Sequence, residues 1–318
     1  MSSDELPHNR SATTDFVVRF GESDPDSGRV FGVPIPVLAG QADEMIFSGL
    51  TPLPARDGFR LYERGGLLIG AIDEAAEPDL AGQAHRLYRA LLGLTEGRRL
   101  ARVWNYVPRI NEPDASGLEN YRAFCRGRSL AFEERLGGGY AEHLPAASAV
   151  GGVDGRLTVI FAATRTGPAH VENPEQVPAY EYPDEHGPRA PSFARATQVA
   201  EAGERYVFIS GTAAIKGHAT VATGDLGGQI ACTVDNLRII SRACGLGERL
   251  GEGAGAGAGW RRHFKVYVRR AADYAAAQAA LNGVLFADGD RVTWLLSDIC
   301  RAALLIEIEA TLVAEAGA

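Results

Sequence analysis

The sequence lacks the features that would by themselves indicate nucleic-acid binding or a membrane protein. Its 318 residues contain 32 Lys and Arg against 40 Asp and Glu, a net charge of -8, and no block of basic residues. Nucleic-acid binding is therefore not expected. No apolar run reaches the length of a membrane span, and the polar start MSSDELPHNRSATT lacks the apolar segment of a signal peptide. These absences predict a soluble, cytoplasmic protein with no nucleic-acid or membrane partner.

Cysteine and histidine are too sparse and scattered to predict a metal site. The four cysteines have no CxxC spacing and no nearby histidine, which argues against zinc and against a disulfide framework. The histidines show no ligand spacing, and His218 is interpreted as a structural hydrogen-bonding residue rather than a base. The glycine-rich segments 137–139 and 251–259 lack a following Lys-Ser/Thr, so they are not phosphate loops. No metal and no cofactor is predicted.

Apolar spacing predicts alternating strands and helices in the first half of the chain. Leu87, Leu91 and Leu94 recur at helical spacing, and the second predicted helix ends at three consecutive glycines. Residues 1–13 are polar and are expected to be loose. The predicted strands are 15–20, 44–50, 60–73 (folding back at Gly65-Gly66), 102–107 and 157–164, and the predicted helices are 81–94 and 118–136.

The second half repeats the order helix, strand, helix, strand. Its predicted strands are 194–199, 205–210, 264–269, 292–296 and 303–313, its helices are 226–244 and 272–285, and 252–259 is a glycine-rich loop. The predicted fold is α+β, with two related halves that each form a β-sheet with helices packed on one face. The predicted domains are 14–167 and 192–318, joined by a linker at 168–191 that lines a cleft.

The last predicted strand carries two glutamates, Glu307 and Glu309, among apolar neighbours. Alternation places both on one face of the strand. One interpretation is a half-exposed strand with two solvated carboxylates. The other is a buried carboxylate with a raised pKa, which is a suitable general acid. The pattern leaves both open.

Arginines are the second group of candidate functional residues, because an acidic protein needs local positive charge to hold an anionic substrate. Arg128 lies seven residues after Tyr121 on the predicted helix 118–136, so the two share a face. A surface arginine and an amphipathic tyrosine would show the same spacing. Tyr182 lies in the linker and Arg195 directly after it, and Arg189 is a further linker arginine that can hold this segment down.

Three blocks carry a family resemblance: 102–128 (RVWNYVPRINEPDASGLENYRAFCRGR), 178–195 (PAYEYPDEHGPRAPSFAR) and 298–310 (DICRAALLIEIEA). Together they resemble the chorismatases, which remove the enolpyruvyl group of chorismate. The resemblance covers roughly residues 100 to 310.

The second half also looks like the YjgF/RidA family, in Ser210-Gly211-Thr212, Gln229, Asn236 and 305–310. This implies a YjgF/RidA-like (chorismate-mutase-like) C-terminal domain. RidA proteins form trimers with sites between subunits. Two such halves in one chain can build one comparable cleft internally, which is compatible with a monomer. The substrate-binding arginine of RidA has its nearest candidate in Arg291, offset by one residue.

The chorismatase resemblance implies a role for each candidate residue. Glu307 would protonate the enolpyruvyl methylene, with Glu309 as the reserve candidate. The pairs Tyr121–Arg128 and Tyr182–Arg195 would bind the two carboxylates of chorismate. Two further positions bear on the product. Cys300 is typical of members that form 3-hydroxybenzoate, whereas Ala213–Ala214 covers a position where those members favour glycine.

The predicted function is conversion of chorismate to 3-hydroxybenzoate and pyruvate, with no metal or redox cofactor. One alternative is hydrolysis of chorismate to a dihydroxycyclohexadienoate, or formation of 4-hydroxybenzoate. Another is a RidA-like enamine or imine deaminase or a non-catalytic ligand-binding relative, although neither would need the N-terminal half and the linker. The family also implies that the product serves secondary metabolism.

Overall fold

The computed structural model describes residues 13–23, 30–153, 155–251 and 259–315. The predicted loop 252–259 and the predicted loose segment 1–13 therefore lie outside the described residues, apart from Gly259 and Thr13. The described chain forms an eight-stranded sheet, a seven-stranded sheet and a two-stranded hairpin.

The first sheet is built from the first half of the chain. Its strands run in the spatial order β2-β1-β4-β5-β6-β9-β7-β8. These strands are β1 (Thr14–Phe20), β2 (Val30–Val33), β4 (Asp43–Arg56), β5 (Phe59–Arg64), β6 (Leu67–Ala75), β7 (Arg99–Pro108), β8 (Ala146–Gly152) and β9 (Arg156–Thr164), and the first half also contains strand β3 (Val37–Gly40) and helices α1 (Leu80–Leu94) and α2 (Asn120–Leu136).

Helices α1 and α2 pack together on one face of this sheet. Asp79 caps the start of helix α1. Its carboxylate accepts a 2.9 Å hydrogen bond from the backbone N–H of Gly82 and satisfies one of the free donors of the first turn. Helix α2 approaches so closely that a Cβ at Gly127 would lie 2.1 Å from the carbonyl oxygen of Ala81. Only glycine fits there without a shift of the backbone. This packing fixes the helix that carries Tyr121.

The second sheet follows the order β10-β11-β12-β17-β15-β16-β3. Its remaining elements are β10 (Ala169–Val171), β11 (Ala196–Glu201), β12 (Glu204–Thr212), β15 (Arg261–Val268), β16 (Arg291–Leu296) and β17 (Ile306–Glu315), with the hairpin strands β13 (Ile215–Lys216) and β14 (Ala219–Thr220) and helices α3 (Leu226–Ala243) and α4 (Tyr274–Leu281).

The two halves have the same topology, as predicted. In the first half, the neighbouring strands are β5-β6-β9-β7-β8, and the helices α1 and α2 follow β6 and β7 in the chain. In the second half, the neighbouring strands are β11-β12-β17-β15-β16. Here α3 follows β12 and the β13–β14 hairpin, and α4 follows β15. In both sets of neighbours the last two strands are parallel, β7 with β8 and β15 with β16. The predicted α+β fold of two related halves is confirmed.

The two sheets face each other across a shared apolar core. Trp104 from the first sheet and Phe208 from the second meet edge to face, with ring centroids 6.0 Å apart. The helices of each half cover the outer face of their own sheet. The order of layers is therefore helices, sheet, sheet, helices, and polar residues between the sheets are far from bulk water.

Two strands cross the predicted domain bounds. Strand β3 lies within 14–167 but pairs with β16 of the second sheet, and β10 lies in the predicted linker but pairs with β11. At the first crossing the backbones approach so closely that a Cβ at Gly40 would lie 1.9 Å from the carbonyl oxygen of Val292. The bounds 14–167, 168–191 and 192–318 stay a prediction, but they do not separate the sheets. The predicted helix 272–285 is also too long, because α4 ends before the Asn282-Gly283 turn.

Candidate active site

A cavity of about 460 Å³ lies where the two halves and the 168–191 segment meet. This is within the usual size range of small-molecule sites. Six of the eight predicted site residues line it: Tyr121, Tyr182, Arg195, Ala213, Cys300 and Glu307. The other two, Arg128 and Ala214, are buried and do not belong to its lining. The fold therefore brings together residues that are up to 186 positions apart in the chain.

Glu307 is a buried carboxyl group in the wall of this cavity, with 3% of the residue exposed. Burial, and after it the negative charge of Glu309, raise the pKa of Glu307 to about 8. The pairing of β12 with β17 shifts register between Ile209 and Thr212. At this irregularity a Cβ on Gly211 would lie 2.1 Å from Oε1 of Glu307. The glycine thus leaves room for a carboxyl group that is protonated near neutral pH.

Glu309 is buried as well, but it is ion-paired. Its Oε2 lies 2.5 Å from Nη2 of Arg102 and its Oε1 lies 2.6 Å from Nζ of Lys265. Burial alone would raise the pKa of Glu309, but the two cations outweigh it and hold that pKa below its usual value. Lys265 in turn contacts Glu44, Nζ to Oε2, at 2.7 Å. The interpretation of two solvated glutamates is wrong, because both carboxylates lie between the packed sheets.

The two carboxyl groups therefore differ in protonation state and can take different chemical roles. Glu307 faces the cavity as a neutral acid, and Glu309 stays ionised beside it. Two carboxyl groups whose surroundings drive their pKa values apart are a common arrangement for acid catalysis. Glu307 is the group that can deliver a proton to a ligand in the cavity.

Arg195 and Tyr182 form a polar pair in the cavity wall. Nη2 of Arg195 donates to the Tyr182 hydroxyl at 2.8 Å and to the carbonyl oxygen of Val177 at 3.1 Å. Nε of Arg195 has no hydrogen-bond partner among the described residues and lies 3.9 Å from a carboxylate oxygen of Glu172. The guanidinium is therefore held in place while part of its donor capacity stays free for an anion.

Sequence reasoning missed Arg301, a further arginine in the lining. Its guanidinium lies 5.3 Å from the ring centroid of Tyr182, and its Nη1 donates to the carbonyl oxygen of His218 at 2.8 Å. The available signal was its position directly after Cys300 in the block 298–310. Arg122, whose Nε donates to Glu119 at 3.1 Å, also belongs to the lining, so three arginines border the cavity and only Arg195 was predicted.

Tyr121 and Arg128 share the inner face of α2, and both are buried. Tyr121 reaches the cavity, whereas the guanidinium of Arg128 lies behind it, 3.8 Å from Sγ of Cys125 and 5.1 Å from the ring centroid of Phe124. Among the described residues no carboxylate pairs with Arg128, and its Nε has no hydrogen-bond partner. The interpretation of Arg128 as a surface residue is wrong; it is a buried cation close to the cavity.

Cys300 contacts the carboxyl group of Glu307, with Sγ 3.8 Å from Oε2. Burial, and then the charge of Glu307, raise the pKa of Cys300 above its usual value, so the thiol stays protonated.

Ala213 lines the cavity, and its carbonyl oxygen accepts a 3.0 Å hydrogen bond from Nδ2 of Asn236. Gln229 accepts a 2.7 Å hydrogen bond from the backbone N–H of Leu305. These two amides of the predicted YjgF/RidA motif hold the backbone beside Glu307.

The remaining candidates lie elsewhere. Arg291 is not part of the lining, and its Nη2 donates to the carbonyl oxygen of Asp43 at 3.1 Å. Arg189 pairs with Glu133, which agrees with a role in holding the linker down.

None of the described helices combines the length and apolarity that crossing a membrane requires.

Comparison with known proteins assigns the family. The family described as chorismatase FkbO/Hyg5-like, N-terminal, matches residues 53–163. A chorismatase of Streptomyces hygroscopicus is 39% identical over 246 residues, which cover 76% of this chain and 70% of that protein. The chain belongs to the chorismatase family.

Further relatives agree with this assignment. A crystal structure of a chorismatase superposes with a TM-score of 0.81 at 31% identity, covering 98% of this chain and 95% of that one. A 3-hydroxybenzoate synthase of Streptomyces hygroscopicus is 42% identical over 214 residues, which cover 65% of this chain. That alignment spans 62% of the synthase, less than two thirds of its length. Solved structures of a YjgF protein from E. coli and a RidA protein from Psychrobacter match 46% and 45% of this chain, with TM-scores of 0.31 and 0.32.

Proposed function

We propose that this chorismatase converts chorismate to 3-hydroxybenzoate and pyruvate. The observation that carries the proposal is a protonated, buried Glu307 in the wall of a cavity that also presents Arg195 and Arg301. A neutral acid is what protonation of a weakly basic enol ether needs, and the arginines suit a dianionic substrate. The relative named 3-hydroxybenzoate synthase supports the choice of product.

The first step is transfer of the Glu307 proton to the terminal methylene carbon of the enolpyruvyl group. The carbon–carbon double bond supplies the electron pair, so an oxocarbenium ion forms and Glu307 becomes a carboxylate. The ionised neighbour Glu309 favours the cationic intermediate, because its charge remains in a region of low dielectric constant. Lys265 and Arg102 hold Glu309 ionised without reaching the cavity themselves.

The second step follows the route that the family resemblance implies. The ring hydroxyl of the substrate attacks the carbon that bears the ether, the ring carbon–oxygen bond breaks, and pyruvate leaves. The proton of the hydroxyl returns to the Glu307 carboxylate, and the arene-oxide-like intermediate rearomatises to 3-hydroxybenzoate. Substrate and products have the same atoms, so no water is consumed, and the cavity has to keep water from the oxocarbenium carbon.

Substrate binding is assigned to the walls of the cavity. Arg195, held by Tyr182, would bind one carboxylate, and Tyr121 would contact the other end of the substrate. Arg128 would act from behind Tyr121 as a buried positive charge. Arg301 offers the second guanidinium that a dianion needs. We also propose that the protein acts as a monomer and that it is located in the cytoplasm.

One observation favours a second candidate, hydrolysis of chorismate to a dihydroxycyclohexadienoate. Ala213 lines the cavity at or next to the position where relatives that form 3-hydroxybenzoate favour glycine. Cys300, which contacts Glu307, favours 3-hydroxybenzoate instead. A RidA-like deaminase has less support, because Arg291 is not part of the lining.

The test is incubation of the purified protein with chorismate, followed by chromatography against authentic standards. Pyruvate with 3-hydroxybenzoate in equal amounts is the expected result. Pyruvate with a non-aromatic diol would support the second candidate, and 4-hydroxybenzoate would contradict both routes. Unchanged chorismate would overturn the proposal.

A further inference from the structure

Three side chains with metal-binding atoms converge at the edge of the cavity. Glu185 and His186 come from the short 3-10 turn Asp184–His186, and His218 lies in the turn between β13 and β14. Nε2 of His186 lies 3.0 Å from Nδ1 of His218. Oε1 of Glu185 lies 3.3 Å from each of these two nitrogens. Two segments that are distant in the chain thus meet through their donor atoms.

The spacing of these atoms suits a single ion. Ligands of tetrahedral zinc lie about 2.1 Å from the metal, which puts any two of them about 3.4 Å apart. The three donor atoms form a nearly equilateral triangle with sides of 3.0, 3.3 and 3.3 Å. One point can therefore lie about 2.1 Å from all three of them without a large movement of any side chain. A hydrogen bond between the two imidazoles alone would not require the carboxylate to be equally near both.

The donor set also has the composition of a zinc site that keeps an open position. Two imidazoles and one carboxylate suit zinc and similar divalent transition metals better than magnesium or calcium, which prefer oxygen ligands. The side chain of Glu185 is 65% exposed and that of His218 is 38% exposed, so water can reach the site as a fourth ligand. Arg301 opposes a cation here, but its guanidinium is directed to the ring of Tyr182 and the carbonyl oxygen of His218.

We propose that Glu185, His186 and His218 bind one divalent transition-metal ion, with zinc the best fit, at the mouth of the cavity. The ion ties the segment that carries Tyr182 to the β13–β14 hairpin. The ring of Tyr182 lies against both imidazoles, with centroids 5.2 Å from His186 and 6.4 Å from His218. Metal binding would therefore hold Tyr182, and through it Arg195, in the geometry described above. Its role is structural, because the proposed reaction needs no metal.

Sequence spacing did not reveal this site. Two of the ligands are adjacent residues, and the third follows 32 positions later. The familiar zinc patterns place ligands two to five residues apart on one turn or helix. Here the approach of the 168–191 segment to the hairpin brings the donors together. Gln176 helps to hold that approach, since its Nε2 donates to the carbonyl oxygen of Ile215 at 2.9 Å.

The test is calorimetric titration of the full-length, tag-free chain with zinc chloride after removal of metal by a chelator. We expect one zinc ion per chain, with affinity at least tenfold lower in His186→Gln and in His218→Gln. His85→Gln is the matched control, because His85 also faces a glutamate, with Nε2 3.0 Å from Oε1 of Glu134, but belongs to helix α1. The control should bind zinc as the wild type does.

Two further arms keep the result decisive. Glu185→Gln changes an exposed residue and so tests the site even where a histidine variant folds poorly, and it should also weaken zinc binding. Cobalt in place of zinc should give visible absorption in the wild type that His218→Gln loses. Absence of zinc binding by the wild type, or binding that all three variants retain, would overturn the proposal. Because the readout is metal binding, failure here and failure of chorismate turnover are distinguishable.

Discussion

Glu307 and Glu309 point to the same side of strand β17, two residues apart, yet only Glu309 is ion-paired. Nitrogen atoms of Arg102 and Lys265 lie within 2.6 Å of the Glu309 carboxylate oxygens, whereas the carboxyl group of Glu307 contacts the thiol of Cys300. The charge that the cations stabilise on Glu309 in turn raises the pKa of Glu307. The protonation state of Glu307, the proposed general acid, thus depends on Glu309, which does not line the cavity.

Replacement of Glu307 by Gln should abolish pyruvate release while chorismate still binds. The amide has nearly the same shape but cannot transfer a proton, so a loss of at least 1000-fold in kcat is expected, on the order of 4 kcal/mol of transition-state stabilisation. Pyruvate formation measures the rate, and calorimetry measures binding. Glu134→Gln, at an exposed residue of α2, is the control. Activity comparable with that of the wild type would move the acid role to another residue.

The raised pKa of Glu307 predicts a falling alkaline limb in the activity. Only the protonated acid can react, so kcat/KM, which reports the free enzyme, should decrease as the pH rises past about 8, the pKa of this group. The rate of pyruvate release across the pH range measures this limb. A rate that stays constant well above this pH would contradict the assignment of Glu307 as the acid.

The same group makes stability depend on pH. The pKa of Glu307 is higher in the folded protein, about 8, than the usual 4.5. The stability that this carboxyl group contributes to the folded protein is therefore fully present below pH 4.5 and is lost as the pH rises to about 8. The loss amounts to at most about 1.4 kcal/mol per pH unit. Urea unfolding at several pH values should show Glu307→Gln gaining stability relative to the wild type between these limits. An unchanged difference between the two proteins would contradict the burial of a protonated carboxyl group.

Glu309→Gln should both destabilise the protein and shift the pH profile. Removal of the carboxylate leaves Arg102 buried without its ionic partner and leaves Lys265 with Glu44 alone. Breaking a buried pair in this way costs about 3 to 5 kcal/mol in comparable cases. The pKa of Glu307 should fall because its charged neighbour is gone, so the alkaline limb should move to lower pH. Urea unfolding measures the first effect and the pH dependence of kcat/KM the second. A destabilised variant with an unmoved limb would show that Glu309 does not tune Glu307.

Much of the fold follows from local sequence patterns. Helix α1 was predicted within one residue of its observed start, because Leu87, Leu91 and Leu94 recur on one face. The repeated order of elements was enough to predict two related halves. The short strand β3 was not predicted, because four residues show no clear periodicity and their partner in β16 lies far away in the chain.

The site was less predictable than the fold. The spacing of Glu307 and Glu309 is compatible with solvent on one side of the strand, and only the packing of the second sheet on the first buries both. The ion pairs of Glu309 join residues 207 and 44 positions apart, which no local pattern reveals. Arg128 likewise has the spacing of a surface residue but is buried behind Tyr121.

Gly211→Ala should reduce kcat more than substrate affinity. A Cβ at this position would lie 2.1 Å from Oε1 of Glu307, so the carboxyl group would have to move away from its place in the wall. A displacement of this kind typically costs on the order of 100-fold in rate. Steady-state measurement of kcat and KM tests this. Gly138→Ala, where an added Cβ meets nothing within 4 Å, is the matched control. An unaltered kcat would mean that Glu307 does not need its present position.

Cys300→Val should change the product rather than the first step. The thiol lies 3.8 Å from Oε2 of Glu307 and lines the cavity, so it can help to place the ring intermediate. Because its raised pKa keeps the thiol protonated, it is not suited to remove a proton from that intermediate. Valine fills similar space without a polar hydrogen, which leaves water as the competing nucleophile. We therefore expect less 3-hydroxybenzoate and more dihydroxycyclohexadienoate at a similar rate of pyruvate release, measured by chromatography. Cys244→Val, at a buried cysteine directly after α3 that is not part of the lining, should keep the wild-type product. The same share of aromatic product from Cys300→Val would exclude a role for the thiol and leave the Ala213 region as the determinant of the product.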